Sequence, residues 1–290
     1  MNMNKSLLVA ALAAAAFGGA SSAMALTFTD GDFTGSVDIS GTVTVPVATN
    51  QWQWATGDAI PLNKVATEMT NNYKTLTVAA PANLPLLVGQ TKAATVGNAG
   101  NGGINPQIAF TDATGATVTP VWGITGNTGK GTITLPVTAD DGTTVLGNMS
   151  MTVKVGAVKA AQSGGDGGAE VTSSFTSHSS LELYGGVAQP SVAAGTLATG
   201  SSAGVWNAAL GAKTVTDLLG QLNAGSGFTT TGWAIDGTRA AGYFDIPHWY
   251  YAGTYGLGIA LGDNIVVNFT NPVTVTTPWK SALKATVTYL

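Results

Sequence analysis

Side chains that could act as nucleophiles, metal ligands or general acids are few in this sequence. The chain has no cysteine, which excludes a thiol nucleophile and disulfide bonds. His178 and His248 are the two histidines, and neither has a second ligand at a spacing typical of a metal site. The acids fall mostly in turns such as Asp140-Asp141-Gly142, where aspartate hydrogen-bonds to nearby backbone. The sequence therefore predicts that the protein is not an enzyme and uses no cofactor or metal.

An aromatic segment, "GYFDIPHWYYAGTY" at residues 242–255, is the other place where chemistry could reside. Aromatic rings pack against the C–H faces of sugars, and nearby polar groups bond to the sugar hydroxyls. The glycan-binding candidates within it are Asp245, His248, Trp249 and Tyr250. The alternative is that these aromatics fill the junction between an inserted region and the main fold.

The first residues predict export from the cytoplasm. Lys5 precedes an apolar run that begins at Leu7, and Ala23-Met24-Ala25 matches a cleavage site, so residues 1–25 read as a signal peptide. Charged residues make up only 9% of the chain and the net charge is −4, against about 25% charged residues in ordinary soluble domains. A sparse, mildly acidic surface argues against nucleic acid as a partner.

Short alternating runs separated by Gly, Pro, Asn and Asp predict an all-β protein, either a sandwich or a barrel. Examples are "QWQWAT", in which Trp52 and Trp54 are expected core residues, "KTLTVAA", "GTITLPVT", "TTVLGNMSMTVKVG" and "DNIVVNFTNPVTV". Residues 156–251 differ, with a Gly/Ser-rich loop and one helical pattern, so we interpret them as an insertion in a β framework. The helical pattern, "SSAGVWNAALGAKTVTDLLGQLNAG", is expected to start at Ser201 or Ser202, break at Gly211 and end at Gly225.

The two ends of the mature chain both alternate like strands. Residues 26–41 place Phe33, Gly35, Val37 and Ile39 on one face, but no hairpin turn follows to supply a partner strand. The C-terminal strand alternates in the same way, through Leu283, Ala285, Val287 and Tyr289. In an exported chain without cysteines, two unpaired strands suggest a sandwich that lacks one strand and receives it from a neighbouring copy, a known form of strand addition in pilins.

The chain resembles the FaeG-type major subunits and adhesins of chaperone–usher fimbriae from enterotoxigenic enteric bacteria. The resemblance covers essentially the whole mature sequence and rests on "GDFTGSVDISGTVT", "WQW", "LPLLVGQTKAA", "PQIAFTDATGATV", "GKGTITLPV", "LYGG", "TDLLGQL" and "YGLGIALGDNIVVNFTNPVTVTTPWKSALKATVTY". It implies an incomplete immunoglobulin-like β-sandwich over residues 42–290, with a helix-containing insertion at about 156–251. Residues 26–41 would form the donor strand for a neighbouring subunit.

The same resemblance implies partners and a location. A periplasmic chaperone would hold the C-terminal strand and groove edge at Leu283, Ala285, Val287 and Tyr289 until an outer-membrane usher places the subunit in a surface fimbrium. The fimbrium would bind a host glycoprotein or glycolipid, often through galactose. The main alternative is a purely structural or minor subunit without a sugar site. An outer-membrane β-barrel with regular lipid-spanning strands is a remote alternative. A secreted glycosidase is the least favoured.

Overall fold

The structure, a computed structural model, describes residues 51–98, 104–177 and 182–289. Several sequence-based predictions fall outside these described residues. They are the signal peptide at 1–25, the leading segment 26–41 with Phe33, Gly35, Val37 and Ile39, and His178.

The described residues form two β-sheets with two short α-helices, which confirms the predicted all-β class with helices inserted. The strands are β1 (Trp52–Ala55), β2 (Thr75–Ala79), β3 (Leu84–Thr91), β4 (Thr95–Val96), β5 (Pro106–Thr111), β6 (Val121–Trp122), β7 (Lys130–Ala139), β8 (Val145–Ser163), β9 (Ala169–Phe175), β10 (Gly185–Gly186), β11 (Ile235–Ala240), β12 (Trp249–Ile259), β13 (Asn264–Phe269), β14 (Trp279–Lys280) and β15 (Lys284–Tyr289). The helices are α1 (Gly200–Ala209) and α2 (Val215–Ser226), and single 3₁₀ turns span Ala66–Glu68 and Ala193–Gly195.

The larger sheet follows the order β1-β3-β12-β8-β13-β2, with β7 along one part of β8 and β9 along another. The smaller sheet has the order β10-β5-β15. One apolar core joins the two sheets, since Ile133 and Val153 of the larger sheet belong to the same cluster as Ile108 and Phe110 of the smaller one. Trp52 is buried in this core, as the sequence predicted.

Two long strands connect the framework to the predicted insertion. The first part of β8 pairs with β7 and β13, and its second part pairs with β9. Strand β12 runs beside β8 from Trp249 to Gly258 without a break in register. The insertion limits predicted at about 156 and 251 therefore lie inside β8 and β12, which are continuous through both positions.

The helices pack on a second apolar core, formed with the later part of β8, with β9 and with β12. The predicted break into two helices is confirmed, but both predicted caps were displaced. Helix α1 begins after Thr199, whose hydroxyl accepts a hydrogen bond from the Ser202 backbone N–H at 3.0 Å. Helix α2 ends at Ser226 and is capped by Gly227, where φ is 82°. Glycine adopts this left-handed conformation without strain. Neither helix within the described ranges is long and apolar enough to cross a membrane.

Helix α1 lies close to the sheet at a glycine pair. Gly156 of β8 and Gly256 of β12 are direct ladder partners, and the Asn207 side chain lies over both. A Cβ at Gly156 would come within 2.3 Å of the Asn207 amide oxygen. The Asn207 amide nitrogen donates to the Thr254 hydroxyl at 2.9 Å, so this buried side chain fixes the helix to the sheet.

Candidate functional site

An open groove on the framework, within the described part of the chain, has a volume of about 1110 Å³. Two segments distant in sequence form its walls, and the larger sheet forms its floor. The walls comprise residues 56–66 and 273–283, and Met69, Leu76, Pro85, Leu86 and Ile259 also contribute. An adjoining cavity of about 670 Å³ shares residues 56–62 as its lining.

The floor of the groove is apolar because strands β7, β8 and β13 present alternate side chains to it. Leu135 is the ladder partner of Met149, and Met151 is the partner of Ile265. Phe269 completes this row at the end of β13. Such a floor favours an apolar strand face as its ligand rather than a polar small molecule.

Both walls leave backbone groups available. No backbone hydrogen bond joins residues 56–64 to any other described residue, and the same is true of residues 281–283. Between these walls an extended chain could form hydrogen bonds on either side while its alternate side chains meet the floor.

The C-terminal strand β15 pairs with β5 along one edge, so the prediction that this strand is unpaired was wrong for that edge. No described strand pairs with its other edge. Of the four predicted groove-edge residues, Leu283 lines the groove, Val287 and Tyr289 are half-buried against the main core, and Ala285 is exposed. The Tyr289 hydroxyl accepts a hydrogen bond from Trp54 Nε1 at 2.8 Å. This contact joins the two edge strands β1 and β15 just before the wall segment starts at residue 56.

The predicted glycan-binding residues lie close in sequence but do not share one surface. Asp245 and His248 belong to the loop before β12, where His248 is exposed with a φ of 68°. Trp249 packs against the main core, whereas Tyr250 packs against the core under the helices. Successive strand residues point to opposite faces, so these two rings cannot stack on the same sugar.

The remaining aromatics of that segment are used in packing. Phe244, Tyr251 and Tyr255 are buried in the main core, and the Tyr255 hydroxyl donates to the Ala188 carbonyl at 2.7 Å. Burial raises the pKa of Tyr251 to about 12. Burial also lowers the pKa of Lys159, whose ammonium lies 5.1 Å from the centre of the Tyr251 ring.

Two of the turn aspartates accept hydrogen bonds from residues of their own turns. Asp141 accepts hydrogen bonds from the Thr144 hydroxyl at 2.6 Å and from the backbone N–H groups of Thr143 and Thr144, and these bonds lower its pKa. Asp112 accepts a hydrogen bond from the Thr114 hydroxyl, and this bond is the main cause that lowers the pKa of Asp112. No group of three potential metal ligands occurs among the described residues.

Sequence reasoning predicted a groove and named Leu283 at its edge, but it did not identify most of the residues that line it. The walls come from residues 56–66 and 273–283, which are far apart in sequence and meet only in the folded chain. The faint sequence signal is that both stretches, "TGDAIPLNKVA" and "VTVTTPWKSAL", contain proline and polar residues between apolar ones, a composition suited to extended segments outside regular ladders.

Comparison with known proteins identifies the family of the chain. A family model described as "Fimbrial, major and minor subunit" matches residues 4–290. The chain is 34% identical to K88 fimbrial protein AB of Escherichia coli, over 99% of this chain and all of that protein. It is 33% and 32% identical to K88 fimbrial proteins AD and AC of the same organism, with the same coverage. This family builds surface fimbriae and is not known for enzymes. The chain therefore belongs to the K88 family of fimbrial subunits.

Proposed function

We propose that the protein is the major subunit of a surface fimbrium and that its copies polymerise by donor-strand complementation. In this proposal the leading segment 26–41 of one subunit fills the groove of the next. The observation that carries it is the groove, which combines an apolar floor with two wall stretches, residues 56–64 and 281–283, whose backbone groups make no backbone hydrogen bond to other described residues.

The leading segment has the alternating apolar pattern that the groove floor would accept. As a strand, the segment from Phe33 to Ile39 would span about 20 Å. Phe33, Val37 and Ile39 would face the floor, and each contributes roughly 1.5–3 kcal/mol when buried. Gly35, on the same face, would allow a close backbone approach. About ten new ladder bonds at ~1 kcal/mol net each would add to this, which gives a gross gain above about 10 kcal/mol before the cost of ordering the strand.

An open apolar groove also requires protection before assembly. An exposed apolar cleft beside unpaired strand edges promotes aggregation. A periplasmic chaperone would cover the groove and the β15 edge, with Leu283, Ala285, Val287 and Tyr289 nearest to it, and an outer-membrane usher would exchange it for the next subunit. Residues 1–25 would direct the chain into this route.

Deleting residues 26–41 tests the assembly mechanism. The truncated subunit should fold with its chaperone and accept a donor strand, but it should not donate one, so it should form no fibres by itself. Electron microscopy and size-exclusion chromatography would measure this. A matched control deletes residues 2–12 from the predicted signal peptide, which should block export and leave the subunit in the cytoplasm. Normal fibres from the truncated subunit would refute the mechanism.

We also propose that the fimbrium binds host glycoproteins or glycolipids, with a galactose-containing glycan as the ligand. His248 is the exposed candidate, whereas Asp245, Trp249 and Tyr250 are half-buried. A glycan array probed with the donor-complemented subunit tests this. His248→Ala should weaken binding, whereas Lys92→Ala, an exposed change elsewhere, should not.

A structural subunit without sugar binding is the second candidate. It is favoured by the opposite packing of Trp249 and Tyr250 and by the burial of Phe244, Tyr251 and Tyr255. A glycan array without a hit would support this candidate over the adhesin.

A further inference from the structure

We propose that the acidic face of the leading segment docks against lysines at the rim of the groove, so that electrostatic attraction guides each donor strand into its acceptor. This inference rests on the proposed donor-strand function and adds the chemistry by which donor and acceptor recognise each other. The occupant is residues 26–41 of a second copy.

The first observation is the position of the acids in the leading segment. Asp30, Asp32 and Asp38 are its only charged side chains, and all three stand at even positions. The apolar residues Phe33 to Ile39 that would face the floor stand at odd positions. Because neighbouring strand residues point to opposite faces, all three carboxylates would face away from the floor, toward the rim and solvent.

The second observation is the charge of the groove. Its lining includes two lysines, Lys64 and Lys280, and one acid, Asp58. The wall that contains Lys280 continues into β15, and residues 264–290 carry two lysines and no acid. The lysine of β15 is Lys284.

These lysines are available to a new carboxylate. The Lys280 ammonium donates to the Asp140 backbone carbonyl and the Lys284 ammonium to the Ala113 carbonyl, so neither is neutralised by a described carboxylate. Lys64 pairs with Glu68 at 3.0 Å, but both side chains are exposed. Exposed pairs of this kind contribute little and exchange partners readily.

The consequence is a rate effect that depends on salt. Opposite charges separated by less than a Debye length, roughly 8–10 Å at physiological ionic strength, attract and raise association rates. The apolar residues and the ladder bonds would still determine how long the strand stays. The acids should therefore mainly affect the association rate and leave the dissociation rate nearly unchanged.

A peptide exchange experiment tests this. The full-length mature subunit, purified as its chaperone complex, is mixed with excess fluorescent peptide LTFTDGDFTGSVDISG or with a variant carrying Asp30→Asn, Asp32→Asn and Asp38→Asn. At low ionic strength the neutral peptide should associate about tenfold more slowly. At about 1 M salt the two rates should converge, since the Debye length then falls to roughly 3 Å. Equal rates at low salt would overturn the charge inference alone, and failure of both peptides to bind would overturn the donor-strand function as well.

Variants of the acceptor separate a direct role of the lysines from a change in chaperone affinity. In Lys280→Gln the ratio of the two peptide rates at low salt should fall about threefold toward one. Lys92→Gln, an exposed lysine outside the groove lining, should leave the ratio unchanged. If both variants change the ratio equally, or neither does, the rim lysines do not guide the donor.

Discussion

The hydrogen bond between Trp54 and Tyr289 offers a direct test of how the two edge strands are joined. Trp54 Nε1 donates to the Tyr289 hydroxyl at 2.8 Å, across a sequence separation of 235 residues. Both side chains also pack against the main core. We predict that breaking this one bond lowers the free energy of unfolding and loosens β15 at the end of the groove.

The expected magnitude follows from the environment of the bond. It is partly buried and joins two neutral groups, so its net contribution should be about 1 kcal/mol. Tyr289→Phe removes the acceptor and little else. Trp54→Phe removes the donor but also alters the ring packing against Trp52, whose centroid lies 5.7 Å away, so it should cost about 2–3 kcal/mol. The double variant should therefore cost about 1 kcal/mol less than the sum of the two single variants.

Urea unfolding of the full mature subunit, followed by far-UV circular dichroism, measures all four species of this cycle. Tyr73→Phe combined with Trp54→Phe is the matched control, since Tyr73 is exposed and its hydroxyl makes no described contact with Trp54. That pair should be additive within about 0.3–0.5 kcal/mol. If the Trp54 and Tyr289 variants are equally additive, the bond does not join the two strands in solution.

Three further predictions concern stability. Burial raises the pKa of Tyr251 from its ordinary value near 10 to about 12, so the unfolded chain loses this proton first as the pH rises. The free energy of unfolding should therefore stay constant below about pH 10 and decline from there to about pH 12. Urea unfolding at several pH values should show a less steep decline in Tyr251→Phe. Gly220→Ala should stabilise α2 by about 0.5–1 kcal/mol, because nothing lies within 4 Å of the added methyl group. Gly156→Ala should instead destabilise the protein by about 1–3 kcal/mol, because the added methyl group would clash with the Asn207 side chain. Thermal unfolding distinguishes the two variants. Thr199→Ala should cost about 1 kcal/mol by removing the α1 cap, a loss that Thr199→Ser should largely avoid in the same assay.

The features that sequence could predict are those with local causes. Alternation predicted the strands, and the spacing of leucines with an intervening glycine predicted two helices rather than one. The caps were displaced because several Ser, Thr and Gly residues compete near each helix end. Only the folded backbone decides that Thr199 and Gly227, rather than Ser201 and Gly225, take the required conformations.

The features that sequence could not predict depend on contacts between distant segments. Tyr184 is fully buried with a φ of 59°, and its hydroxyl donates to the Val158 carbonyl at 2.7 Å. No local pattern around it indicates either property. The packing of Trp249 and Tyr250 on opposite faces could have been predicted from sequence, because adjacent residues of a strand point to opposite faces. The sequence contained that signal, but treating the aromatic segment as one cluster overlooked it.

The layout of β8 explains how one chain could both build a fibre and vary its outer surface. Met149 and Met151, in the first part of the strand, belong to the groove floor, while Val158 and Ala160, further along, support the helices. Seven residues separate Met151 from Val158, which is about 23 Å along a strand. Substitutions separated by more than about 10 Å without shared partners usually act independently. Changes in the helical region can therefore alter what the surface contacts while the groove keeps its shape, provided that the glycine pair at 156 and 256 still seats Asn207.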